Sequence, residues 1–353
     1  MNLENKTILI TGGTGSLGKI LTKRILTNEM GKPKKIIIFS RDESKQHEMR
    51  LQYKQRSVAT DEIIYHNFEQ IVEFRIGDVR DYHSIASAVK DADIVFNAAA
   101  LKQVPSCEYF PFEAVQTNII GPENIVRVIR ENKLPVETVV GISTDKASKP
   151  VNVMGMTKAL QERIFITANL SCPLTRFICV RYGNVLASRG SVIPLFLSQI
   201  RSGGPVTITT EDMTRFLLSL DDAVEVIFAA VKDAKKGETY IPRVPAARVI
   251  DIAKALIGNK KIPLKNIGIR PGEKIHEVLI SEEESYRTVK RGKYFAIKPI
   301  LPELITDPKE KIAMKTEYSS ENSVMNLPAL KKLLSDQRLF AEAIETTKEE
   351  LLR

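Results

Sequence analysis

Lys6-Thr-Ile-Leu-Ile10, followed at once by Thr11-Gly-Gly-Thr-Gly-Ser-Leu-Gly18, is the stretch on which the fold turns. A short apolar run of buried-strand length meets glycines at 12, 15 and 18, and Leu17, Leu21 and Ile25 then fall on one face of a predicted helix. In such a turn the first glycine permits a tight reversal. The second lets backbone approach a pyrophosphate, and the third lets helix and strand pack closely. The phosphate would meet free N–H groups at the positive end of the helix dipole. Gly12, Thr14, Gly15, Ser16, Leu17 and Gly18 are therefore the candidate phosphate cradle. A glycine triplet alone is a weak signal, and its weight here comes from the strand before it and the helix after it.

Working outward, Lys35-Ile-Ile-Ile-Phe39 ends in Ser40-Arg41-Asp42. An acid after the second strand takes the ribose 2′-hydroxyl of NAD, whereas an arginine accommodates a 2′-phosphate. Arg41 thus favours NADP, Asp42 keeps NAD open, and Lys45, Gln46 and Arg50 continue a polar helix face. Val72-Glu-Phe-Arg-Ile76 alternates as a half-buried strand and ends in Gly77-Asp78-Val79, where Asp78 is either an adenine contact or a turn acid. Asp93-Ile-Val-Phe-Asn97 runs into Ala98, Ala99 and Ala100, small residues suited to backbone pressed against a dinucleotide. Lys102 lies just beyond, within reach of phosphate or sugar. Asn118 sits in a helix predicted from about Pro111 to Glu131, as a site hydrogen bond or as surface.

Glu137 to Ile142 reads as a fifth strand that delivers Ser143-Thr144-Asp145-Lys146, and a helix over about 153–169 carries Met154 and Lys158 in its first turns. A hydroxyl, a carboxylate and two amines converge where open α/β sheets bind ligands, at the carboxyl ends of parallel strands. A dehydrogenase-like site would want a proton-carrying tyrosine four residues before Lys158. Met154 stands there instead. Thr175–Arg181 is a sixth strand, and the strand–helix alternation predicts a doubly wound parallel α/β sheet of Rossmann type. Loop-rich texture from residue 184 predicts a smaller α+β substrate domain over 184–302 after a cofactor domain over 1–183. Asp221 to Val231 is expected to return to the sheet as a helix, and 303–353 to form a charged helical appendage that packs or oligomerises.

With 353 residues, 43% hydrophobic and 27% charged, the chain has the make-up of a globular protein of roughly two domains. Its net charge of +9 suits an acidic partner. With no basic block, no interleaved aromatics and no Trp, nucleic acid is the weaker choice and a phosphorylated small molecule the stronger. Cys107, Cys172 and Cys179 show no CxxC spacing, and the four histidines show no ligand spacing. No disulfide or metal is expected, and buried thiols suit a reducing cytosol. Without a signal peptide or an apolar run of about 18 residues, a cytoplasmic location and no membrane span are expected.

The ordered set Thr11–Gly18, Ser40–Asp42, Gly77–Val79, Asn97–Ala100, Ser143–Lys146, Arg181-Tyr-Gly-Asn-Val185, Met213-Thr-Arg-Phe216 and Arg270-Pro-Gly-Glu-Lys-Ile-His-Glu277 resembles the extended short-chain dehydrogenase/reductases. Within them it resembles the soluble UDP-N-acetylglucosamine 4,6-dehydratases of bacterial surface-glycan pathways, from about residue 5 to about 335. The resemblance implies a tightly held NADP or NAD, a UDP-sugar substrate and a homo-oligomer. It places Thr144, Asp145, Lys146 and Lys158 on catalytic positions, with methionine at 154 as in some soluble members. Asn184, Arg215, Arg270 and Glu273 fall on sugar-nucleotide contacts.

The implied reaction oxidises C4, removes the C5 proton, expels the 6-hydroxyl as water and returns the hydride to C6. Lys146, neutralised by burial and by neighbouring Lys158, is the expected C5 base, and Asp145 the expected acid. Lys158 is expected to hold the nicotinamide ribose and Thr144 to hydrogen-bond the C4 oxygen. The C4 hydroxyl proton passes to Lys158, Asp145 or a water. Gln161 and Glu162 read as surface. The alternatives are a nucleotide-sugar 4-epimerase or 4-reductase of the same fold, and an inactive NADP-sensing regulator in which Met154 marks decay.

Overall fold

The computed structural model describes residues 2–54, 62–186, 191–337 and 339–340. Most of the expected loop at 188–191 and the last residues of the expected appendage lie outside the described residues. Six strands form the centre: β1 (Thr7–Thr11), β2 (Lys35–Ser40), β3 (Val72–Ile76), β4 (Ile94–Asn97), β5 (Thr138–Thr144) and β6 (Arg176–Tyr182). They stand parallel in the order 3-2-1-4-5-6, the doubly wound order expected.

Every residue of β1 and β4 is buried, which suits strands covered by helices on both faces. The side-chain period of two divides them between layers. Ile8 and Ile10 join one apolar cluster with Ile36 and Ile38, while Leu9 joins another with Ile37 and Phe39. β3, at the edge, is only half-buried.

The sheet does not stop at residue 183. Strand Thr239–Pro242 pairs parallel with β6, and Tyr294–Ile297 and Thr288–Arg291 add two antiparallel strands beyond it. Residues assigned by sequence to the substrate domain thus complete the cofactor-domain sheet. The returning helix is Leu220–Asp233, started by a capping box in which Ser219 Oγ accepts from Asp222 N at 3.0 Å. A separate cluster built on Phe196, Leu217, Ile252 and Leu256 forms the second lobe. Leu330 and Leu334, on helix Leu327–Asp336, are fully buried in it, so this part of the expected appendage is integral to the lobe.

Two local features place the site. β5 ends at Thr144 in a single 3-10 turn, Asp145–Ala147, and helix Val153–Ser171 starts against it. A Cβ on Gly155 would lie 2.2 Å from the Lys146 carbonyl oxygen, so only glycine allows the helix to come this close. Asn152 caps that helix by accepting from Gly155 N at 2.8 Å, and its amide donates to Gly272 O at 2.7 Å, tying the helix start to the second lobe. The helix predicted over 111–131 is instead two α-helical pieces, Pro111–Val115 and Gly121–Glu131, around a π turn, Gln116–Ile120.

Candidate active site

One cleft of about 910 Å³ runs from the glycine turn across the end of β5 to the loop at 270–277. Every site residue named from sequence lines it except Asn118. Asn118 is fully buried in the π turn. It accepts from Leu101 N at 2.8 Å and donates to Leu101 O at 2.9 Å and Thr157 Oγ1 at 3.0 Å. Its polar groups are spent holding the wall behind the cleft, so it is neither the surface residue nor the site hydrogen bond expected.

The cradle at the first turn fits a dinucleotide. Gly12 has φ +65°, and a Cβ there would stand 2.8 Å from Ala99 Cα. A Cβ on Gly18 would stand 2.4 Å from Gly13 O, so helix and turn touch through backbone alone. Helix Ser16–Leu26 starts at Gly15 with no side-chain cap, which leaves its first N–H groups for an anion. Thr14 Oγ1 and Ser40 Oγ lie 3.0 Å apart, joining the turn to the end of β2. Arg41 is 61% exposed at the lip and 3.7 Å from Asp78. Asp42 is engaged by Lys45, and Asp78 is occupied by Arg80, whose Nε and Nη2 donate to it at 2.9 and 2.7 Å. Gln46 is buried and bonds Ser40 O and Arg75 O, so it is no part of a polar face.

At the end of β5, Asp145 is fully buried. Its Oδ1 accepts from Thr144 Oγ1 at 2.9 Å and from Lys146 Nζ at 3.1 Å, while Oδ2 has no partner among the described residues. Burial pushes the Asp145 carboxyl up, Lys146 pulls it down and Glu277 pushes it up again, for a net rise. Lys146 departs from expectation. Burial alone would lower its amine, but the carboxylates of Asp145 and Glu277, the latter at 3.2 Å, outweigh burial and hold the pKa above the ordinary lysine value. The charges acting on it are two carboxylates and Arg215, not Lys158, so at rest it is an ammonium.

Lys158 is the depressed amine. It is buried, it donates to Gln161 Oε1 at 2.6 Å, and burial lowers it to about 8. Gln161 in turn donates to Ile142 O at 3.0 Å, and Glu162 is bound by Arg181 and by Ser143 Oγ at 2.5 Å. Both are buried, against the surface reading, because this side of the helix faces the sheet. Met154 is buried and packs with Cys107, Ala114, Leu101 and Val104 at the cleft wall.

Across the cleft, Arg215 donates to the carbonyls of Thr214, Ile275 and Lys274 at 2.7–3.0 Å, fixing the loop that carries Arg270 and Glu273. Arg270 is exposed at the rim. Asn184 Oδ1 and Glu277 Oε2 join Asp145 Oδ2 as buried oxygens without a partner among the described residues. Three such atoms around one cleft point to a polar ligand. Sequence reasoning left Glu277 and Lys274 without roles; both line the cleft. They follow the arginine and glutamate of one irregular loop, where no periodicity marks which side chains turn inward. Among the described residues no group of His, Cys, Asp and Glu could hold a metal, and no helix is long and apolar enough to cross a membrane.

A family model described as "Polysaccharide biosynthesis protein" matches residues 8–299. A protein named UDP-glucose 4-epimerase from Rickettsia bellii strain OSU 85-389 is 44% identical over 341 residues, covering 94% of this chain and 95% of its own. One of the same name from Rickettsia typhi is 42% identical over the same shares. The X-ray structure of Pen from Bacillus thuringiensis is 34% identical, with a TM-score of 0.85 over 96% of this chain and 100% of its own.

Proposed function

The chain belongs to the polysaccharide biosynthesis protein family, and from that premise we propose that it is a nucleotide-sugar 4,6-dehydratase. The proposed substrate is UDP-N-acetylglucosamine, with NADP, in preference to NAD, as cofactor. The observation that carries the reading is Asp145: a fully buried carboxyl with a raised pKa and an unpartnered oxygen, one residue from an amine. Elimination across C5 and C6 needs one group that gives a proton and one that takes it. Epimerisation at C4 leaves C5 and C6 untouched and uses neither. A bound nicotinamide would supply the acceptor for the C4 hydride and return it to C6.

The chain's own residues divide the remaining work. Lys158 takes the C4 hydroxyl proton in place of the missing tyrosine, and Thr144 hydrogen-bonds that oxygen. Lys146 takes the C5 proton, and Asp145 gives a proton to the departing 6-hydroxyl. Lys146, an ammonium at rest, must first lose that proton. Lys102, Asn184, Arg215, Arg270 and Glu273 would hold the UDP-sugar, with an arginine fork suited to two diphosphate oxygens at once. Arg41 would take the 2′-phosphate. A cytoplasmic homo-oligomer belongs to the same proposal.

A second reading, a 4-epimerase, is favoured by the name that relatives at 41–44% identity carry. Incubation with UDP-N-acetylglucosamine in deuterium oxide separates the two. The dehydratase yields a 6-deoxy-4-keto sugar, lighter by one water and deuterated at C5 by proton NMR. Unchanged mass with inversion at C4 would establish the epimerase instead.

The Lys158 role has its own test. Below its pKa the amine carries a proton and cannot accept another. Single-turnover formation of reduced nicotinamide, followed by absorbance, should therefore rise with pH and level off above about 8. Lys158→Met should remove that limb and slow the step by about 10²-fold or more. A pH-independent step in the wild type would assign the proton to another group.

A further inference from the structure

Resting on the dehydratase reading, we propose that Glu277 Oε2 accepts the hydrogen of the substrate's 6-hydroxyl, facing the proton that Asp145 gives to the same oxygen. Glu277 is 2% exposed. Its backbone is pinned to Ser320, donating from N to Ser320 Oγ at 2.9 Å and accepting at O from Ser320 N at 2.8 Å. Its Oε1 lies 3.2 Å from Lys146 Nζ, which also donates to Asp145 Oδ1 at 3.1 Å. One ammonium thus holds two carboxyl groups by one oxygen each. The other oxygen of each, Asp145 Oδ2 and Glu277 Oε2, is buried at the cleft with no partner among the described residues.

These two oxygens are of opposite kind. Asp145 Oδ1 already accepts from Thr144 Oγ1 and Lys146 Nζ, so the proton of this carboxyl belongs on Oδ2, which then donates. Burial opposes ionisation of Glu277, but Lys146, Arg215 and Lys274 outweigh it and hold its pKa below the ordinary glutamate value. Glu277 therefore stays a carboxylate, and its Oε2 can only accept. A hydroxyl carries one hydrogen and lone pairs, and when buried it needs a partner for each. Lys146, Lys274 and Arg215 can only donate, and the hydroxyl of Thr144 is spent on Asp145. Beside the acid that serves O6, Glu277 supplies the acceptor that O6 lacks.

The same pair suits the water that leaves. As Lys146, by then a free amine, takes the C5 proton, the C5–H electron pair becomes the C5–C6 double bond. The C6–O pair departs with the oxygen, and the proton of Asp145 joins it. The departing water has two hydrogens, and a carboxylate now faces each of them.

A hydrogen bond to a charged group changes affinity by about 10–100-fold. Calorimetry on the holoenzyme at about pH 6 reads it, because Lys158, lowered by burial to about 8, is then protonated and holds back turnover. Wild type should bind the analogue with hydrogen in place of the 6-hydroxyl about 10–100-fold more weakly than UDP-N-acetylglucosamine. In Glu277→Gln the ammonium of Lys146 claims the amide oxygen, and the NH2 left towards the cleft donates and cannot accept. That variant should lose about tenfold in affinity for UDP-N-acetylglucosamine, bind the analogue nearly as wild type does, and bind UDP unchanged. A merely structural role would weaken both sugars together. Equal affinity of wild type for the two sugars, or undiminished discrimination in Glu277→Gln, would overturn the contact, the second result leaving Asn184 Oδ1 as the acceptor. If Glu277→Gln loses UDP as well, the comparison moves to Glu277→Asp, whose carboxylate sits one methylene further back. Reduced discrimination there supports the contact, and full discrimination overturns it. A wild type that loses water yet binds both sugars alike overturns this contact alone, whereas one that neither loses water nor exchanges C5 overturns the dehydratase reading itself.

Discussion

Asp145→Asn is expected to keep the first half of the reaction and lose the second. Asparagine has nearly the same shape, and its carbonyl can still accept from Thr144 Oγ1 and Lys146 Nζ, which lie 2.9 and 3.1 Å from Oδ1. It has no proton to give. With UDP-N-acetylglucosamine, reduced nicotinamide should accumulate within the first turnover, since oxidation at C4 asks nothing of this carboxyl. Formation of the 6-deoxy-4-keto product should fall by about 10²–10⁴-fold, the usual contribution of a positioned general acid. The pH sign follows from the upward displacement of the Asp145 pKa: the acid form persists to higher pH than an ordinary aspartate, and water loss declines as pH rises through that raised value. Stopped-flow absorbance for the first step and NMR for the product read the two halves separately. Product at the wild-type rate would mean that water leaves with another acid's help, and the dehydratase reading would lose the observation that carries it.

The sheet and the cradle were legible in the sequence because local rules decide them. β1, β2, β4 and β5 each carry a continuous apolar run at their centre, as strands covered on both faces do, and Gly12 and Gly18 stand where a Cβ has no room. Strands Thr239–Pro242, Thr288–Arg291 and Tyr294–Ile297 were not assigned to the sheet, because each is four residues long and none announces its distant partner. At the site, position was legible and protonation was not. The turn Ser143–Lys146 marks itself by following a buried strand, but the charge on Lys146 depends on Glu277, which arrives from a loop far along the chain. Gln161 and Glu162 carry polar side chains, so composition placed them in water. They are buried because Gln161 bonds the end of β5 and Glu162 neutralises Arg181. Asn118 misled for a related reason, since one asparagine side chain serves a ligand or a π turn equally well.

Arg181→Met should be the most damaging single change to stability, by about 3–5 kcal/mol at neutral pH, the usual cost of removing one partner from a buried ion pair. Arg181 is 2% exposed and donates to Glu162 at 2.6 and 3.0 Å, to Glu284 at 2.7 and 2.9 Å and to Leu279 O at 2.9 Å. One guanidinium thereby joins β6, helix Val153–Ser171 and the segment Leu279–Glu284. Burial alone would raise the Glu284 pKa, but Arg181 reverses this and lowers it to about 2. A carboxylate depressed in the folded state stabilises fully above its unfolded pKa and loses that contribution as pH falls through the folded one. For Glu284 the window runs from about 4.5 down to about 2, and the gap corresponds to roughly 3 kcal/mol at about 1.4 kcal/mol per pH unit. In the variant the sign reverses. The buried Glu284 carboxyl without its cation favours the protonated form, so the variant's deficit against wild type should shrink on acidification from pH 7 towards about 4.5. Urea midpoints at the two pH values read this directly. Adding Glu162→Gln and Glu284→Gln should recover part of the loss at neutral pH, because the penalty lies in the stranded charges more than in the missing bonds. An unchanged midpoint at pH 7, or a deficit that grows on acidification, would show that the network contributes little to the fold and that Arg181 is held there for the Ser143–Glu162 contact beside the active turn.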